Sequence, residues 1–132
     1  MTTGSEFPRV GVGVVLMEDR KLLLVQRGRE PGRGLWAVPG GKIRLGEPMR
    51  EAARREILEE TGLAVVVGDV IWVGEFIDGG HHLVLIDFEG AVVGGELRPG
   101  DDADDARWVP LEEVRDYPLT VTMYDLVDTL RS

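Results

Sequence analysis

The segment Gly40-Gly41-Lys42-Ile43-Arg44-Leu45-Gly46-Glu47-Pro48-Met49-Arg50-Glu51-Ala52-Ala53-Arg54-Arg55-Glu56-Ile57-Leu58-Glu59-Glu60-Thr61-Gly62-Leu63 organises the reading of this chain. Its second half reads as a helix with signals at both ends. Pro48 suits the first helical position, where a missing N–H leaves no bond unmade, and Gly62 suits the left-handed residue just past the end. Between them Ala, Leu, Glu and Arg are good helix formers. At about 100° per residue, Glu56, Glu59 and Glu60 share one side as i, i+3, i+4 neighbours. Ala52 falls on the same side and leaves the approach to the carboxylates open.

Three like charges at this spacing repel one another, and they sit near the negative end of the helix dipole, where anions are disfavoured. A helix chosen only for stability carries Lys or Arg there. Hard divalent cations such as Mg²⁺ take carboxylate oxygens and bring phosphate oxygens with them. The cluster looks like a metal site, with a solvated acidic face the reading that a Glu-rich helix by itself favours. Just upstream, Pro39-Gly40-Gly41 reads as a turn whose glycines let a backbone carbonyl approach a metal closely.

The rest of the chain alternates between strands and turns. Residues 10–16 are β-branched and apolar, a buried strand by composition. Gly11-x-Gly13 does not continue into a dinucleotide loop, because Leu16 stands where the third glycine belongs and no helix follows. A polar turn at 18–20 leads to a second strand at 21–27, forming a hairpin. Residues 28–34 are a loop without the Gly-Lys-Ser/Thr of a phosphate-binding P-loop. Arg27, Arg29 and Arg33 flank it as candidate phosphate contacts, since the guanidinium fork suits bidentate binding. A short strand follows at 35–38.

Beyond the helix, 64–67 and 70–73 read as two strands joined by a Gly68-Asp69 turn, and 81–89 as another after Gly79-Gly80. His81 and His82 are adjacent on a strand and point to opposite faces, which argues against joint metal ligation. In the stretch 98–109, Asp101, Asp105 and Glu112 occupy positions 1, 5 and 12 of an EF-hand frame. Ala103 and Ala106 break that frame, so the stretch reads as an acidic loop able to supply a carboxylate to the site. A short helix begins at Leu111, and Thr120 is expected to cap a last helix running to Leu130. The element order is that of an α+β fold.

The length of 132 residues suits one domain, 1–132, with its own core. There is no cysteine, which excludes a thiol nucleophile and leaves the redox compartment open. The first six residues lack a signal-peptide pattern, and the longest apolar run, 10–17, is too short to cross a bilayer. These features lead us to expect a soluble, cytoplasmic protein without membrane association. The net charge of −9 is uneven: residues 1–55 carry 11 Lys and Arg against 6 Asp and Glu, and residues 56–132 carry 4 against 18. A basic half suits phosphate and an acidic half suits cations. The overall acidity argues against stable nucleic-acid binding.

Read from Gly41, the opening segment runs five residues to Glu47, seven to Arg55-Glu56-Ile57, then Leu58, Glu59-Glu60, Thr61 and Gly62-Leu63. It resembles the Nudix box, G-x5-E-x7-R-E-U-x-E-E-x-G-U with U aliphatic, at every defined position over residues 41–63. The resemblance implies an α/β/α sandwich around a mixed sheet. It also implies a Mg²⁺-dependent hydrolase (Mn²⁺ being the second option), in which water attacks a phosphorus of a nucleoside diphosphate linked to another moiety. Glu56, Glu59 and Glu60 would hold the metal with the Gly40 carbonyl, and Arg55 with Glu47 would form a buttressing pair. The general base would be Glu56 or a downstream loop carboxylate, here Asp101, Asp102, Asp104 or Asp105.

For the substrate, residues 27–36, 84–88 and 100–109 look like the small bacterial and archaeal Nudix group labelled ADP-ribose pyrophosphatases. Cleavage of ADP-ribose to AMP and ribose 5-phosphate is the leading expectation. The proline that marks better-characterised ADP-ribose enzymes about fifteen residues after the box is absent, and Asp78 stands there. The run Pro39-Gly40-Gly41-Lys42 also looks like MutT-type nucleoside triphosphate pyrophosphohydrolases, which is the alternative. A non-catalytic nucleotide-sensing module is a third reading. Oligomeric state stays open, with a homodimer the arrangement the family suggests.

Overall fold

Long apolar runs broken by tight turns build most of this molecule, a computed structural model that describes residues 7–132. Met1 to Glu6, which carry the absence of a signal-peptide pattern, lie outside the described residues. Strand β1 (Arg9–Glu18) turns through Asp19 and Arg20, both at positive φ, into β2 (Lys21–Arg27). Next come β3 (Trp36–Ala37), β4 (Gly40–Lys42) and helix α1 (Met49–Thr61). The chain continues through β5 (Leu63–Asp78), β6 (His81–Gly95), β7 (Ala103–Pro110), a 3₁₀ helix (Leu111–Asp116) and α2 (Met123–Arg131). Among the described residues no helix is long and apolar enough to cross a membrane.

The strands form one mixed sheet in the order β3-β2-β1-β6-β5, with β4 also paired to β1 and β7 to β2. β1 and β6 run parallel, placing Gly11 beside Leu85 and Gly13 beside Asp87. The remaining pairings are antiparallel. One face of β1 sends Val12, Val14 and Leu16 into a core completed by Ala52, Ala53 and Ile57 of α1 and by Phe88 of β6. The other face packs Val15, with Leu22, Leu24 and Trp36, against Val114, Met123, Leu126 and Val127. Helices thus cover both faces, as an α/β/α sandwich requires. Trp72 Nε1 donates to Asp125 Oδ2 at 2.7 Å and ties β5 to α2.

Several local expectations change. Gly40 and Gly41 are not a free turn but part of β4, paired with Gly13 and Val12 of β1. Residues 64–73 are not a hairpin. They belong to the single strand β5, and the surplus residues around Gly68-Asp69 are absorbed as register shifts against β6 between Val67 and Trp72. Asp104 and Asp105 lie in β7 and not in a loop. Pro48 is the residue preceding α1, with ψ 144, rather than its first turn. Thr120 stands too early to cap α2; its carbonyl accepts from the Met123 N–H at 3.0 Å. Ala52 is fully buried beneath the sheet, so it does not open a path to the carboxylates.

Candidate active site

The C-terminus of α1 is where the site is assembled. Gly62 adopts φ 76 and its N–H closes on the Leu58 carbonyl at 3.0 Å, ending the helix in the left-handed conformation that glycine accepts without strain. Two further carbonyls of the last turn are capped by the segment before β7: Arg98 N–H reaches Thr61 O at 2.8 Å and Gly100 N–H reaches Glu60 O at 2.7 Å. A side chain at position 100 would not permit this, since its Cβ would fall 2.0 Å from the Glu59 carbonyl oxygen. The acidic segment is thereby anchored to the helix, and Asp102 is brought within electrostatic range of Glu60.

Arg55 is the hub of the carboxylates. Its Nε and Nη2 bind Glu47 at 2.7 and 2.8 Å, its Nη1 donates to Glu56 Oε1 at 2.6 Å and to Glu59 at 3.2 Å, and its Nη2 also reaches the Lys42 carbonyl at 3.2 Å. The hydrogen bonds from Arg55 hold Glu47 down at about 2, and the same pairing raises the Arg55 guanidinium still further above neutrality. Glu60 points the other way, accepting the Gly40 N–H at 2.9 Å. The Glu56 carboxylate lies against Gly41, where a Cβ would sit 2.0 Å from Oε2.

A cleft of about 1000 Å³ is lined from both α1 and α2, and Glu56, Glu60, Arg27, Arg29 and Asp102 bound it with the Gly40-Gly41 backbone. Arg27 is held there by a 2.7 Å bond from Nε to the Pro31 carbonyl, and Arg29 pairs with Asp102 at 2.8 Å. Other expected residues stand apart. Arg33 is exposed outside the cleft. Asp105 faces Arg107, at 2.8 Å, and does not line the cleft. Glu59 is half exposed beside Arg55, with Arg44 at 3.8 Å. His82 pairs with Glu75 at 2.9 Å while His81 lines the cleft, so the two histidines separate.

Among the described residues no three His, Asp or Glu side chains converge into a ready metal cluster. The donor set nevertheless fits a hard cation. Glu56 has one oxygen bonded to Arg55 and the other turned to the Gly41 backbone, and Glu60 lies across the cleft floor from it, next to the Gly40 peptide.

The family model of the NUDIX domain matches residues 7–130. The chain belongs to the Nudix family. An ADP-ribose pyrophosphatase of Methanocaldococcus jannaschii is 39% identical over 109 residues, covering 81% of this chain and 64% of that protein. The Nudix chain therefore spans under two thirds of this relative's length. A MutT-like protein of Streptomyces ambofaciens is 30% identical over 118 residues, covering 89% of this chain and 73% of the relative. The crystal structure of a MutT NUDIX hydrolase from Burkholderia pseudomallei superposes with a TM-score of 0.84 at 34% identity, covering 94% of this chain and 98% of that one.

Electrostatics separate the Nudix carboxylates further. Burial pushes Glu60 up to about 7 against the pull of the Gly40 N–H, with Glu56 and Asp102 raising it and Arg27 lowering it. Asp87 behaves alike: burial alone pushes it up to about 7. Sequence reasoning passed over Asp87. Its signal was present, a lone acid inside the apolar run 83–88, but the strand period alone does not reveal whether such a residue faces solvent or a cleft.

Proposed function

We propose that this Nudix chain is a divalent-metal-dependent pyrophosphohydrolase that cleaves ADP-ribose to AMP and ribose 5-phosphate. The observation that carries the reading is the cleft itself, which joins box carboxylates Glu56 and Glu60 to Arg27, Arg29 and Asp102 in a space large enough for a nucleotide. The likeness to the M. jannaschii ADP-ribose pyrophosphatase supports that choice of substrate.

Glu56, Glu60 and the Gly40 carbonyl would hold the cation, Mg²⁺ or Mn²⁺, and Glu59, which the box implies as a further ligand, would turn in from its place beside Arg55. When bound, such an ion neutralises diphosphate charge and makes water a better nucleophile. Arg55, locked by two bonds from Glu47, fixes where Glu56 and Glu59 point. Arg27 and Arg29 bind phosphate oxygens and offset the negative charge that grows on them as the anhydride bond breaks. The proton of the attacking water passes to Glu56 or to Asp102, the two expected bases that line the cleft. The new phosphorus–oxygen bond forms as the bridging oxygen leaves with the other product.

The test is a panel of nucleotides with Mg²⁺ and products separated by chromatography. AMP and ribose 5-phosphate from ADP-ribose is the expected result. Preferential release of pyrophosphate from a nucleoside triphosphate would assign the chain to the MutT-type chemistry that its S. ambofaciens and B. pseudomallei relatives are named for. Binding without turnover of any substrate would assign it to the sensing class.

A further inference from the structure

Asp87 is 8% exposed on β6, and its neighbour Phe88 enters the core beneath α1. Alternation along the strand turns Asp87 to the other face, where it lines the cleft. Among the described residues no hydrogen bond or ion pair reaches its carboxyl. No side-chain oxygen among the described residues is both sealed from solvent and unpartnered, so the Asp87 oxygens keep an opening, and that opening is the cleft. A buried acid without a partner in its own chain is placed to take one from outside.

Strand pairing fixes where that carboxyl stands relative to the box. Gly13 of β1 pairs with Asp87 on one side and with Gly40 of β4 on the other. With neighbouring strands about 4.8 Å apart, the backbones of Asp87 and Gly40 stand roughly 10 Å apart along one row of the sheet. The side chain closes part of that gap. A Cβ on Gly13 would lie 2.5 Å from Asp87 Oδ1 and 3.2 Å from the carbonyl oxygen of Pro39, the residue before Gly40. The carboxyl therefore lies over the bare backbone of Gly13, turned toward the box. On the far side of this row Glu60 accepts the Gly40 N–H at 2.9 Å.

The chemistry of a nucleotide selects what the carboxyl meets. Ionised, it accepts hydrogen bonds and donates none; neutral, it still keeps an acceptor oxygen, so in either state it takes a donor. The oxygens of a bound diphosphate offer none. The donors of a nucleotide are its pentose hydroxyls and the N–H groups of its base. From a phosphate beside Gly40 and Glu56 the hydroxyls come first, on the ring one methylene away, and the base N–H groups lie beyond the glycosidic bond. ADP-ribose carries a 5′-linked pentose on each phosphate, so either orientation sets a pentose beside the box, whereas only one of its ends bears a base. We propose that Asp87 binds the pentose next to the cleaved diphosphate, accepting from its ring hydroxyls, and so selects ribose over deoxyribose substrates. This rests on the reading of the cleft as a nucleotide site, though not on which anhydride is cleaved.

Calorimetry on the full chain with Mg²⁺ compares AMP with 2′,3′-dideoxy-AMP, which share phosphate and base and differ only in the two hydroxyls. AMP should bind about tenfold tighter, the scale of one hydrogen bond to a charged acceptor. Asp87→Ala and Asp87→Leu should each bring the two ligands to within about threefold of one another, by weakening AMP. Should the Leu variant fail to fold, the Ala variant decides. A preference that survives Asp87→Ala overturns the assignment. So does an equal loss of both ligands in that variant, which would mark Asp87 as structural, and so does a wild type that binds the two alike. A wild type that binds neither defeats the nucleotide reading of the cleft, and this inference with it. Failure to hydrolyse ADP-ribose bears on the substrate alone, so the two readings fail separately.

Discussion

Glu47 and Glu60 are two acids of the same box pushed in opposite directions by their neighbours. Arg55 holds Glu47 at about 2, below the ordinary 4.5. Its pairing therefore stabilises the fold fully above pH 4.5, and that contribution fades as pH falls toward 2. Denaturant unfolding of Glu47→Gln should show a stability deficit at pH 7 that closes across this acid range; a deficit independent of pH would dissociate the pair from stability. Glu60, raised to about 7 chiefly by burial, has the reverse linkage: its ionised form opposes folding once the pH passes the ordinary value. Glu60→Gln should accordingly unfold at an equal or higher temperature than wild type at pH 8 without metal. Its metal-dependent hydrolysis should fall by about 10²–10³-fold. A loss of activity accompanied by loss of fold would defeat this separation of roles. The box spacing carried these residue identities in full. What it did not carry was the environment, because a carboxyl's affinity for protons depends on neighbours that only folding assembles.

At the scale of elements, β4 and α1 meet through two glycines with different duties. A Cβ on Gly40 would lie 2.1 Å from the Val12 carbonyl oxygen, fixed backbone of β1. One on Gly41 would lie 2.0 Å from Glu56 Oε2, the end of a side chain that can swing away. Gly40→Ala should therefore destabilise by about 1–3 kcal/mol or more, as overpacking does. Gly41→Ala should leave the melting temperature close to wild type yet lose most hydrolytic activity by displacing Glu56. Thermal unfolding followed by a product assay distinguishes the two; equal effects on stability would contradict it. Helix α1 was legible from residue types, because its end signals are local. The long strand β5 was not. Gly68-Asp69 carries turn residues, but pairing with β6 on both sides of it made a bulge the better solution. Cross-strand partners decide between turn and bulge, and they are distant in sequence.

For the molecule as a whole, the docking of residues 98–100 on the end of α1 brings Asp102 close enough to raise Glu60, beside Glu56. Relief of that like-charge crowding gives a global expectation. Mg²⁺ should raise the melting temperature, by an amount equivalent to about 2.7 kcal/mol at a hundredfold excess over its dissociation constant. Chelation should reverse the rise and abolish hydrolysis, and Glu60→Gln should show little of it. An identical shift in that variant would place the ion elsewhere. The sequence by itself determined the helix, the carboxylates it carries and the α+β class, since each follows from residues within one short segment or from the period of apolar positions; the buttressing by Arg55 was implied only by the resemblance to the box. Only the tertiary structure decided that Asp102 enters the cleft while Asp105 and Arg33 do not, and that Asp87 forms part of its floor. Those choices depend on strand pairing across β1, β6, β2 and β7, where residues far apart in the chain become neighbours and a shift of one position turns a side chain to the opposite face.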